Sequence, residues 1–155
     1  MNLDSEHNVF DIGDRTALVC IGPSSAQRVV SKQLLELEYK VHLGLFEEDI
    51  LLKLTTYSYD VVVIDEDFGR SLPSENPILR EMTRRSGAAR RGYFVVLLSR
   101  RCATNDAMSA FVLSVDQIVN FEDLANFKPV LRRGVTEHRD LYLPLLETIK
   151  QAQAV

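Results

Sequence analysis

The sequence predicts a doubly wound α/β fold, with a parallel sheet covered by helices on both faces. Short apolar runs of strand length recur at 16–22, 40–46, 60–65, 92–100 and 116–121. Stretches of helical periodicity separate them, so strand and helix alternate five times. The strongest runs, TALVCIG, DVVVID and GYFVVLLSR, lack period-two alternation, which marks strands buried on both sides.

Residues 1–14 form a polar leader, and 15–155 a single domain. The first helix spans 24–39, with Ala26, Val29, Val30, Leu34 and Leu37 as its apolar stripe and Ser24 or Ser25 as its cap. The second spans 47–59. Glu47, Glu48 and Asp49 suit its positive end, and Ile50, Leu51, Leu54 and Tyr57 point inward. Three consecutive valines make 60–65 the clearest strand, because β-branched side chains disfavour helix. A polar loop with Pro73 leads to a helix over 76–86, capped by Asn76 with Pro77 in its first turn. The helix over 104–115 takes Thr104 or Asn105 as cap. The tail predicts a short helix at 122–131 and a final helix marked by Leu141, Leu145, Leu146 and Ile149. Gly134 divides the two, and Pro144 kinks the last or delays its start.

Composition narrows the function. Hydrophobic residues at 46% over 155 residues suffice for one domain core. A net charge of −4 argues against a general nucleic-acid binder. There is no membrane-spanning run and no secretory signal at the start, so the cytoplasm is the expected location. Cys20 and Cys102 make no disulfide framework, and His7, His42 and His138 have no ligand spacing.

In an open parallel sheet, sites form beyond the carboxyl ends of the strands. Those ends carry Gly22–Ser25, Asp65–Asp67, Ser99–Arg101 and Asn120–Glu122. In GPSSAQ, the backbone of Gly22, Ser24 and Ser25 at a helix start is a candidate anion site. It lacks the glycine pattern of dinucleotide folds and the lysine of a P-loop. Capping by the serines is the plainer use. Arg80, Arg84, Arg85, Arg90, Arg91, Arg100 and Arg101 form a basic bias suited to an acidic partner or to a solvated surface. They flank both ends of the fourth strand, so they cannot form one patch.

YDVVVIDEDF places an acid, four apolar residues and then Asp65, and FVVLLSR closes on Ser99. With AFVLSVDQIVNF, these stretches resemble the receiver domain of two-component response regulators, over about residues 16–121. The resemblance implies the strand order 2-1-3-4-5 of flavodoxin-like sheets. It makes Asp65 the candidate phosphoacceptor and Ser99 the hydroxyl that contacts the phosphoryl group. It makes Asp65 and Asp67 the candidate Mg²⁺ ligands.

The departures are specific. Receivers carry two acids at the end of the first strand, where this chain has Ile21 and Gly22 or Gly22 and Pro23. Their lysine after the fifth strand falls on Phe121, or on Asn120 with a register slip. Ile118 takes the aromatic switch position. Phosphoryl transfer to a carboxylate needs a cation to offset the charge. No lysine is expected to reach Asp65, and Arg100 and Arg101 are the alternative source of positive charge. Asp65 and Ser99 have plainer uses as a sheet-edge carboxylate and a cap hydroxyl, and Glu66 and Asp67 as solvated loop acids.

The sequence thus points to a degenerate receiver acting through a protein partner or a homodimer. A histidine kinase or a downstream effector is the partner class, with no DNA-binding domain and no cofactor. The alternatives are a phosphoaspartate regulator with a rearranged Mg²⁺ site and a nucleotide or flavin sensor using the Gly22 loop. A hydrolase has the least support, with no nucleophile elbow in the chain.

Overall fold

The computed structural model describes residues 13–70, 76–84 and 92–153. The leader before Gly13, Pro73, Arg85, Arg90 and Arg91 lie outside the described residues. So do the side chains of Leu145 and Leu146.

Five parallel strands form one sheet: β1 (Arg15–Cys20), β2 (Tyr39–Leu43), β3 (Val61–Asp65), β4 (Phe94–Ser99) and β5 (Gln117–Asn120). Their order is β2-β1-β3-β4-β5, as the resemblance implied. The helices are α1 (Ser24–Glu36), α2 (Glu47–Thr56), α3 (Pro77–Arg84), α4 (Ala107–Leu113) and α5 (Phe127–Gln153). Short 3-10 turns occupy Phe68–Arg70 and Phe121–Asn126. Among the described residues no helix is long and apolar enough to cross a membrane.

The sheet divides the core in two. Ala17, Val19, Val61, Val63, Val96 and Leu98 face α1 and the start of α5. Leu18, Cys20, Val62, Ile64, Val95 and Leu97 face α2, α3 and α4. Neighbours along each strand therefore serve opposite layers, which explains why the runs show no alternation. Burial pushes the Cys20 thiol far above its ordinary range, so it stays protonated and inert.

Acids tie the opposite edge of the sheet. Asp60 Oδ2 accepts the Thr16 N–H at 2.8 Å, and Asp116 Oδ2 accepts the Val95 N–H at 2.8 Å. Each carboxylate satisfies a strand-start donor that the ladder leaves free.

Several expectations are corrected. Neither Ser24 nor Ser25 caps α1; the cap residue is Pro23, and both serines begin the helix, exposed. Val29 turns outward at 40% exposure, and Gln33 is buried instead. Its amide donates to the Leu124 carbonyl at 2.6 Å and accepts the Lys128 N–H at 2.7 Å. Two hydrogen bonds to main chain thus make a polar residue fit the buried face. Tyr57 lies beyond α2, in extended backbone, so it leaves the helix's inner stripe.

Asn76 caps α3 as expected, its Oδ1 accepting from Ile78 and Leu79. Helix α4 is capped by Asp106 rather than Thr104 or Asn105, accepting the Ser109 N–H at 3.0 Å. Asn105 sits in the left-handed region at φ 64, which removes it from the cap. In the tail, 3-10 backbone fills 121–126 and α5 then runs unbroken through Gly134 and Pro144. Gly134 is a packing residue: a Cβ there would lie 2.7 Å from the Gln117 amide, which bonds Asn105 and the Val130 carbonyl.

Candidate functional site

The carboxyl ends of β1, β3 and β4 bring Gly22, Asp65 and Ser99 to one edge of the sheet. Asp65 ends β3 and is almost wholly buried. Its Oδ2 faces the Gly22 N–H at 3.3 Å. Its Oδ1 accepts the N–H of Asp67 at 3.0 Å and the Arg100 Nη1 at 3.2 Å. Three N–H groups therefore converge on one carboxylate.

Arg100 follows β4 and bridges both acids, with Nη1 2.9 Å from Asp67 Oδ2. Its guanidinium carbon lies 3.8 Å from the centre of the Phe121 ring. Phe121 stands at the position the resemblance gives to lysine. It supplies no charge of its own but holds the cation that does. Arg101 adds a contact to Asp67 at 3.4 Å. Positive charge reaches Asp65 from the end of β4, and Asp67 lies in the same cluster.

Glu66 is not a solvated loop acid. It is 1% exposed, with Oε2 accepting the Ser99 hydroxyl at 2.7 Å and Oε1 accepting the Arg100 N–H at 2.6 Å. It stands in the turn just after β3. The Ser99 hydroxyl also accepts the N–H groups of Arg101 at 3.1 Å and Cys102 at 2.9 Å. Ser99 thus organises the turn that follows β4. Asn120, the alternative lysine position, donates to the Cys102 carbonyl at 2.8 Å and accepts the Glu122 N–H at 2.9 Å. Sequence reasoning missed the Glu66 bonds, since its partners lie 33 and 34 residues away.

The fold family implies Mg²⁺ at such a corner, and the residues present do not fit it. Mg²⁺ asks for about six oxygen ligands at roughly 2.1 Å in octahedral array. The end of β1 offers Asp65 an N–H donor where an oxygen ligand would be needed. The oxygens of Asp65 and Asp67 already face N–H groups and guanidinium. Among the described residues, no group of three or more His, Cys, Asp or Glu is placed to hold a metal ion.

Away from the corner, the sheet edge carries an open face. α4, β5 and α5 enclose a groove of about 560 Å³ lined in part by Phe94, Phe111, Ile118, His138 and Leu141. Met108, Phe111 and Val112 of α4 are 72%, 82% and 71% exposed, and Leu141 of α5 is 70% exposed. The buried Ile118 lies in the strand between these helices.

No protein-family model matches the sequence, and no curated protein sequence matches it. Solved structures do. The receiver domain of a Francisella response regulator superposes with a TM-score of 0.62 at 14% identity, over 80% of this chain and 98% of that one. The receiver domain of a Pseudomonas aeruginosa sensor histidine kinase, with magnesium in its active-site cleft, gives 0.61 at 17%, over 79% and 98%. A chemotaxis response regulator of Vibrio cholerae gives 0.59 at 16%, over 78% and 98%. The chain has the fold of response-regulator receiver domains, extended by the long α5.

Proposed function

We propose that this chain is a receiver-fold signalling domain that works through protein–protein contact, without Mg²⁺-dependent phosphorylation of Asp65. The observation that carries the reading is the Asp65 carboxylate, whose oxygens face two amides and the Arg100 guanidinium. Such a site is poorly equipped for attack, because phosphoryl transfer to a carboxylate needs a divalent cation bridging the incoming group, and the end of β1 presents an N–H rather than an oxygen ligand. The α4–β5–α5 face supports the contact role, since its exposed Met108, Phe111, Val112 and Leu141 resemble the apolar centre of an interface. Its occupant is a protein partner, such as a histidine kinase or an effector, or a second copy of the chain.

The alternative is a phosphoaspartate regulator with a rearranged site, in which Asp65 accepts the phosphoryl group, Ser99 contacts it and Arg100 supplies charge. Arg100 within 3.2 Å of Asp65 is the observation that favours it. Incubation with a small-molecule phosphodonor and Mg²⁺, followed by intact-mass measurement, separates the two. The expected result is no gain. A gain of one phosphoryl group that disappears in Asp65→Asn would replace the first reading by the second.

A further inference from the structure

We infer that Arg100 is the built-in counter-cation of the Asp65–Asp67 corner, closing it without a metal ion. The inference deepens the functional reading above and rests on it.

Three constraints fix Arg100. Glu66 Oε1 holds its backbone N–H at 2.6 Å. The Phe121 ring holds the face of its guanidinium, 3.8 Å from the ring centre. Asp65 and Asp67 take its edge, both through Nη1, at 3.2 and 2.9 Å. A planar, weakly hydrated guanidinium can stack on a ring and bond carboxylates in the same pose. A lysine ammonium is a compact, strongly hydrated point charge and lacks the planar face that stacks.

The charges make the case for necessity. Asp65 and Asp67 are separated by one residue and drawn together by a single nitrogen. Without a cation between them, two carboxylates, one almost wholly buried, would repel at short range. The N–H groups of Gly22 and Asp67 satisfy hydrogen bonding at Asp65 but carry no net charge. Arg101 reaches Asp67 at 3.4 Å and Glu66 only at 4.0 Å, from a more exposed position. Arg100 alone contacts both Asp65 and Asp67 among the ion pairs of the described residues. Because it springs from the end of β4 and rests on the residue after β5, it joins the ends of β3, β4 and β5 through one side chain.

Removing the guanidinium should therefore expose a demand for positive charge that the native chain does not show. The test is thermal unfolding of the full chain in chelator and in millimolar Mg²⁺, for the native sequence, Arg100→Ala and Arg100→Lys. The native Tm is expected to be the same in both media. Arg100→Ala should melt lower by roughly 5 °C in chelator and recover part of that with Mg²⁺. Arg100→Lys keeps the charge but loses the stacking, so it should melt lower by about 2 °C and show a weaker Mg²⁺ response than Arg100→Ala. Phe121→Leu keeps an apolar side chain but removes the ring. It should melt lower by about 2 °C and gain a weaker Mg²⁺ response, and it carries the test if Arg100→Ala does not fold.

A native Tm that rises with Mg²⁺, or an Arg100→Ala chain with no Mg²⁺ response beyond the native one, overturns the inference. The phosphodonor measurement stays independent. A phosphoryl gain at Asp65 defeats the functional reading, whereas a Mg²⁺-dependent native Tm without such a gain defeats only the built-in cation.

Discussion

The β3 corner and the α4–β5–α5 face are finished in opposite ways. At the corner, Asp65, Glu66 and Ser99 are buried and their polar atoms face partners within the chain. On the face, Phe111, Met108, Val112 and Leu141 are large, apolar and mostly in water. A closed polar cluster has little left to offer a ligand, whereas an open apolar surface still has free energy to gain from burial. By that measure the helices of the proposed contact face, rather than the carboxylate, keep free energy to offer a partner.

The comparison breaks most readily at Glu66. Glu66→Leu leaves the Ser99 hydroxyl and the Arg100 N–H without their acceptor in a buried place. A loss of about 2–4 kcal/mol is expected, read from the urea midpoint. A loss near zero would mean that the corner is not a closed cluster.

The second test concerns the wall of the groove. Gly134→Ala drives a methyl group into the Gln117 amide and should cost about 1 kcal/mol net of the gain in helix propensity. In a Gln117→Ala background the same change should stabilise by about 1 kcal/mol. The reversal of sign is the readout in a double-mutant cycle.

A smaller effect belongs to the cap of α4. The hydrogen bonds from the Ser109 N–H and hydroxyl hold the Asp106 carboxyl below its ordinary value. A lowered folded value means the contribution is present above the unfolded pKa and is lost as pH falls through the folded one. Asn caps without titrating, so the stability advantage of the native chain over Asp106→Asn should shrink as pH falls through and below the ordinary Asp range. Urea midpoints of both chains between about pH 2 and 6 would check this.

The smallest effect on stability is expected at Phe111→Asp, within about 0.5 kcal/mol, because the ring is already in water. The same substitution should abolish self-association or partner capture in sedimentation and pull-down measurements. Full retention of binding would deny the face its role.

How much of this was legible in the sequence follows a physical division. Strand placement came through because buried parallel strands are written in consecutive apolar, β-branched letters. Asp65 came through because a strand end is a local feature, and the departures at Gly22 and Phe121 were legible for the same reason. The burial of Glu66 was not, since the same letters EDF describe a solvated loop or a clamp until a distant serine is placed beside them. Gly134 shows the reverse error. Read locally it is a helix breaker, yet in the fold it is the space that Gln117 occupies. Gln33 was passed over because its partners, Leu124 and Lys128, lie more than ninety residues on.

One feature of the tail has a mechanical side. Helix α5 has 27 residues, about 40 Å of rigid rod. Its last buried side chain among the described residues is Leu131, near the root. It is a beam clamped at one end. A tilt of about 10° at the root, where Phe127 and Leu131 sit in the core, would carry the far tip by about 6 Å. A load on the tip would be felt at the root with the same leverage.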